Sequence, residues 1–171
     1  MNLSNHAYFN LSGDFTADIS RHLLSLSSDE VYLNDAEFLM IGREAPPPVL
    51  DYRAQREIGK LCNHPQITGA KGLNHCYVLH QKQEKPAAAL FCPDSGRRMR
   101  LFTDQPCPMV YSGGYLDTPN CAIALEAQEH PLSPYSPGPP VLYPGNTYQR
   151  RIVYHFDTVS PTPENTESKI T

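Results

Sequence analysis

The sequence predicts an all-β fold, a partial β-sandwich, and three observations carry that expectation. Apolar residues recur with period two in short runs, at residues 22–26, 31–33, 76–80, 88–91, 99–102, 109–111, 122–125 and 152–156. Turn-forming clusters such as Pro93-Asp94-Ser95-Gly96 and Pro144-Gly145-Asn146 bound them. The 171 residues also include 17 prolines, about twice the usual share of roughly 5%. Proline has no backbone N–H and a fixed φ, so long helices are disfavoured. Short strands spaced by turn signals describe a sandwich or barrel.

Most of the runs are rich in Val, Ile, Leu, Tyr or Phe, which suit a pleated, half-buried surface. The turn at residues 93–96 is expected to close a hairpin between the strands on either side of it. Only residues 51–61 suggest a helix, through the loose spacing of Tyr52, Ala54, Ile58 and Leu61. Residues 45–48 and 131–140 are proline-rich loops. Residues 1–159 are read as one sandwich domain, and the polar stretch 160–171, which lacks periodicity, as a frayed tail.

The formal net charge is -4, with no run of five basic residues. Such a chain has no electrostatic footprint for nucleic acid or an anionic membrane. A neutral small molecule is the expected partner. No charged segment followed by an apolar stretch opens the chain, and no apolar run approaches the roughly 20 residues that span a bilayer. A cytoplasmic location with reduced thiols is therefore expected. Cys62, Cys76, Cys92, Cys107 and Cys121 read as small buried apolar residues. Cys62 with His64, and His75 with Cys76, match no common zinc spacing, so no metal site is expected.

Chemistry concentrates in four segments. Asn5-His6-Ala7-Tyr8-Phe9-Asn10-Leu11 offers amides from Asn5 and Asn10 and an imidazole able to exchange a proton near neutral pH. Its Tyr8 and Phe9 bring flat rings suited to the C–H faces of a sugar. Taken alone, the segment reads more simply as a strand start with a packed histidine. The strand at 122–125 leads into Glu126, with Ala122, Ala124 and Glu126 sharing one face. Partial desolvation there would raise the pKa of the carboxyl group and suit it to general-base work. A solvated strand end is the alternative. Asn74 and His75 sit where a loop feeding a strand meets a ligand. Finally, Gly113-Gly114 lies between Tyr111 and Tyr115, as a close backbone approach or bulge requires. No phosphate loop or serine-hydrolase elbow is present.

Taken in order, these segments resemble the galactose mutarotase (aldose 1-epimerase) family. Residues 2–11 reproduce its Asn-His-x-Tyr-Phe-Asn-Leu motif, and 72–77 and 111–116 match two further blocks. The Leu-Glu-x-Gln segment and proline-rich loop of 125–148 and the closing strand at 154–156 match two more. The resemblance implies the sandwich called a supersandwich, with an aldohexose such as galactose or glucose in a cleft on one sheet. It implies interconversion of the α and β anomers with no cofactor. His6 would be the general acid at the ring oxygen and Glu126 the general base at the C1 hydroxyl, held on opposite edges of one sugar. Asn74, Asn5, Tyr8, His75, Tyr115 and Gln128 would line the sugar.

The chain departs from the family pattern at Asn74, where the family has aspartate, and at Gly114, where it has asparagine. Pro131-Leu132-Ser133-Pro134-Tyr135 replaces the family's Pro-Asp-x-x-Asn. The family chain is about twice as long, so a truncated sandwich is expected, its open face covered by a second chain or by self-association. Three outcomes stay open: an epimerase that takes its other half from another chain, a non-catalytic carbohydrate-binding or interaction remnant, and a chain without stable function.

Overall fold

The computed structural model describes residues 1–59, 65–80 and 85–159. Among these the order is β1 (Tyr8–Phe9), β2 (Leu23–Leu26), β3 (Ser28–Asn34), β4 (Met40–Glu44), β5 (Arg56–Glu57), α1 (Pro65–Thr68), β6 (Asn74–Leu79), β7 (Ala88–Phe91), β8 (Arg97–Thr103), β9 (Met109–Tyr111), β10 (Ile123–Glu126) and β11 (Ile152–Thr158). The protein is all-β, built from two antiparallel sheets. One runs β1-β10-β9-β6-β3-β4 and the other β11-β8-β7-β2-β5.

Alternation decides which residues meet between the sheets. In β2, Leu24 and Leu26 are buried while Leu23 and Ser25 are only partly so. Leu24 pairs with Leu90 of β7, which pairs with Met99 of β8, so one row of apolar side chains crosses the sheet. Val31, Tyr77, Val110, Ile123 and Leu125 supply the facing layer, and all join one core cluster. The two sheets pack these rows against each other and bury the apolar side chains that face the interface.

The expected hairpin forms between β7 and β8. Gly96 closes it at φ +70, a conformation glycine adopts without steric cost. The expected helix over 51–61 does not form in its described part. Residues 56–57 instead are β5, paired with Leu23 and Leu24 of β2. The Leu26 and Ile58 amides donate to the Tyr52 and His22 carbonyls, both at 2.8 Å. Tyr52 and Ile58 are buried as the spacing suggested, but Ala54 is exposed. The free edge of β2 needs backbone partners, and that demand overrides a loose helical period. Leu61, Cys62, His64 and the 160–171 stretch lie outside the described residues. Cys76, Cys92, Cys107 and Cys121 are free, buried thiols.

The sandwich is open along one side. Among the described residues β1 and β11 are each paired on one edge only. They lie side by side, with the Phe9 ring 5.0 Å from Tyr154 and 5.9 Å from Phe156. Phe156 is in register with the buried Met99 and so faces inward, yet it is 55% exposed.

Shortening a buried side chain of β8 tests this core. Leu101→Ala is expected to lower the unfolding free energy by about 2–5 kcal/mol, while Ala54→Ser changes it by less than about 0.5 kcal/mol. Urea titration measures both.

Candidate active site

The site lies on the six-stranded sheet, on the face turned away from the core. Register puts Tyr8, Ala124, Tyr111 and Asn74 in one row across β1, β10, β9 and β6. The next row holds Glu126, Met109 and Cys76. His6 precedes β1 by one turn of chain, and its Nε2 lies 3.2 Å from Glu126 Oε1.

Local hydrogen bonds explain why the first residues run there. Asn5 Oδ1 accepts from the Ala7 amide at 2.9 Å, turning the chain into β1. The Ser4 hydroxyl donates to the Ala127 carbonyl at 2.7 Å, and the Glu129 amide to Asn2 Oδ1 at 2.9 Å. At the other end of β1, the buried Asn10 amide donates to the Cys121 carbonyl at 2.7 Å. Residues 2–10 are thus tied alongside 121–129 by side chains as well as by the strand ladder.

Burial differs across the pair. The Glu126 side chain is 15% exposed and that of His6 51%. Burial pushes the Glu126 carboxyl above the ordinary range, and the His6 charge offsets part of this. Rings enclose the pair. The His6 ring lies 5.0 Å from Tyr8 and 6.2 Å from Tyr111. Burial, then the Tyr111 and Glu126 charges, raises the Tyr8 phenol. His6 and Glu126 therefore touch directly, where a placement on opposite edges of a sugar was expected. The grooves lined by Gln149 and Arg150 do not include this pair.

The other expected contacts divide. Asn74 is in the row with Tyr111, and its carbonyl accepts from Asn34 Nδ2 at 2.8 Å. Tyr115 is exposed, and its amide donates to the Tyr111 hydroxyl at 3.0 Å. Gln128 lies beyond Glu126, with Nε2 3.4 Å from Cys76 Sγ. Asn5 is exposed, with Oδ1 engaged by Ala7.

His75 is not brought to this face. Adjacent residues of a strand point to opposite sides, so with Asn74 on the outer face His75 turns inward, fully buried in register with Val110. Its Nδ1 accepts from the Asn74 amide and its Nε2 lies 3.1 Å from Gln66 Oε1, an arrangement made by a neutral ring. Burial lowers its pKa to about 4. Tyr111, which the sequence did not single out as a contact, is the ring that links His6 to Tyr115. Its signal was its place in the segment leading to Gly113-Gly114.

Comparison with known proteins joins this geometry to a family. The aldose 1-epimerase family profile matches residues 1–155. The chain belongs to the aldose 1-epimerase family. A galactose mutarotase from Rattus norvegicus is 30% identical over 172 residues, which cover 91% of this chain and 49% of that protein. An aldose 1-epimerase from Escherichia coli is 28% identical, covering 91% and 50%. A solved aldose epimerase homologue from C. elegans superposes with a TM-score of 0.79 at 26% identity, over 94% of this chain and 52% of that one. The chain thus spans about half the length of the curated relatives it matches.

Within this family fold, Gly114 has a packing reason. A Cβ there would meet the Ala70 carbonyl oxygen and stand 2.7 Å from the Lys71 carbonyl oxygen, so no side chain fits without moving that turn.

Two outcomes are expected. Gly114→Ala lowers the unfolding free energy by about 1–3 kcal/mol, measured by thermal or urea unfolding. For His75, the folded pKa of about 4 lies below the unfolded value near 6.5. The neutral ring's contribution is complete above pH 6.5 and is lost as pH falls toward 4, a change of about 3 kcal/mol. His75→Gln should flatten that part of the stability profile, leaving a smaller slope from His22, whose pKa burial also lowers.

Proposed function

We propose that this chain interconverts the α and β anomers of an aldohexose, galactose or glucose, with His6 as general acid and Glu126 as general base. The observation that carries the reading is the 3.2 Å approach of His6 Nε2 to Glu126 Oε1 among aromatic rings. Both reacting oxygens of a pyranose, the ring oxygen and the C1 hydroxyl, are bonded to C1. An acid and a base serving them must therefore stand side by side. Without sugar they hold each other; with sugar the two oxygens come between them.

The steps then balance. Glu126 takes the proton of the C1 hydroxyl while protonated His6 gives one to the ring oxygen, and the C1–O5 bond breaks to leave an aldehyde. The C1–C2 bond rotates. His6 recovers its proton from the C5 hydroxyl as the ring closes, and Glu126 returns its own to the new C1 hydroxyl. The raised pKa of Glu126 makes it a stronger base toward the C1 hydroxyl. Tyr8 and Tyr111 would face the C–H surfaces of the ring, with Asn74 within reach of a hydroxyl and Asn5, Tyr115 and Gln128 around the rim.

A second chain or a second copy is proposed to cover the open side at β1 and β11, where the inward-facing Phe156 is exposed. No helix among the described residues is long and apolar enough to cross a membrane. A cytoplasmic site of action is part of this reading, supported by the free buried cysteines.

Polarimetry on freshly dissolved α-galactose tests the reading. His6→Ala and Glu126→Gln should each slow mutarotation by about 100-fold or more. The acid limb of the rate profile should lie above the ordinary glutamate range, because the base must be ionised and burial raises its pKa. Saturable galactose binding with no rate above buffer in the unaltered chain would instead favour a non-catalytic carbohydrate-binding role.

A further inference from the structure

The outer face of the six-stranded sheet carries a cluster of sulfur atoms that the acid–base chemistry leaves unused. Tyr32, Cys76 and Cys107 are fully buried there, and Met109 and Met40 pack against them. Spacing along the chain hides this cluster, because strand pairing assembles it.

Register defines the arrangement. Cys76 of β6 lies directly opposite Met109 of β9. The pairing runs on before β9, where the Pro108 carbonyl accepts from the Tyr77 amide and the Pro106 carbonyl from the Leu79 amide, both at 2.9 Å. Cys107, two residues before Met109, is therefore the diagonal neighbour of Cys76 on the same face. Two thiols and a thioether stand at the corners of one triangle. The thiols act on each other: Cys76, then burial, pushes the Cys107 thiol up.

Both thiols are free, and their placement suits a bridging ion better than a disulfide. A disulfide needs Cβ atoms about 3.5–4.5 Å apart. Diagonal positions on an antiparallel pair are roughly 7–8 Å apart at the backbone. An ion with bonds of about 2.3 Å to each sulfur, as in zinc–thiolate sites, supplies the missing reach.

The donor set selects the ion. No group of three or more His, Cys, Asp or Glu side chains converges among the described residues, so a hard or borderline cation has no cage. Thiolate and thioether sulfur together favour a soft monovalent ion, above all copper(I). Two thiolates around one such ion leave a single negative charge. Gln128 Nε2 meets it as a donor 3.4 Å from Cys76 Sγ. The Arg43 guanidinium, 6.0 Å from the centroid of the Tyr32 ring, favours a Cys107 thiolate.

We propose that Cys76, Cys107 and Met109 form a binding site for one copper(I) ion, with the two cysteines as thiolate ligands and the methionine as a thioether ligand. Binding exchanges two thiol protons for the ion, with no change of oxidation state. Met109 is only partly buried, and its flexible side chain moves aside to admit the ion and closes over it. The site is independent of the sugar chemistry, although Met109 is also the cross-strand neighbour of Glu126.

Anaerobic competition for copper(I) against bicinchoninate tests the site on the reduced full chain. One ion is expected per chain, with release of about two protons and a rise in melting temperature. A chain carrying Cys62→Ser, Cys92→Ser and Cys121→Ser should bind the ion as tightly. Cys76→Ser and Cys107→Ser should each weaken binding by about 100-fold or more, and Met109→Leu, which keeps the volume, by about tenfold. X-ray absorption at the copper edge reads the ligands in the unaltered chain, so the outcome does not depend on whether a cysteine variant folds. A shell of three sulfurs is expected. A shell with fewer sulfurs, or with nitrogen or oxygen, overturns the site. So does failure to compete with bicinchoninate, and so does tight binding that is lost in the triple variant but kept in Cys76→Ser.

Discussion

The short antiparallel pairing of β1 with β10 is the constraint on which the candidate site depends. It joins Tyr8 to Ala124 and Phe9 to Ile123, and among the described residues nothing else in the ladder holds β1. Yet this contact sets the position of His6 against Glu126, which are far apart in sequence. So short a pairing is marginal by itself. Its support comes from Asn2, Ser4 and Asn10, whose side chains bond the backbone flanking β10 on both sides. Asn10, which the sequence presents as a chemical group, is a fastening, as is Asn2.

The same sheet is dry at one end and open at the other. Tyr32, Cys76 and Cys107 form a second buried cluster on the outer face, with Met40, Val78 and Met109 against it. The Tyr32 hydroxyl lies 2.9 Å from His130 Nδ1, so the chain following β10 helps to cover that end. Glu126 stands at the border between the covered and the open parts. This is why its carboxyl is desolvated while the adjacent imidazole remains half exposed.

Strands were legible in the sequence where one face is apolar and the other is not, as in β2 or β8. They were illegible where pairing alone makes the strand. Met40–Glu44 and Arg56–Glu57 have no alternation with a buried face, and they form because β3 and β2 offer free edges. The pairing of His6 with Glu126 was reached through likeness to a family, since no local pattern connects residues 6 and 126. Asn74 and His75 looked equivalent as neighbours in a line of text. The pleat separates them, sending one toward the candidate site and the other into the core. Tyr111 shows the converse: its role depends on which rings lie across the sheet, which spacing along the chain does not encode.

Gly114 carries a consequence for how this part of the protein can change. It is pressed against the carbonyls of residues 70 and 71. Any side chain there would force the turn to move, and the same turn carries Lys71 over the Tyr115 ring. A substitution at position 114 would therefore be penalised before it could be of use, and a new side chain there needs a compensating substitution in the 70–71 turn first.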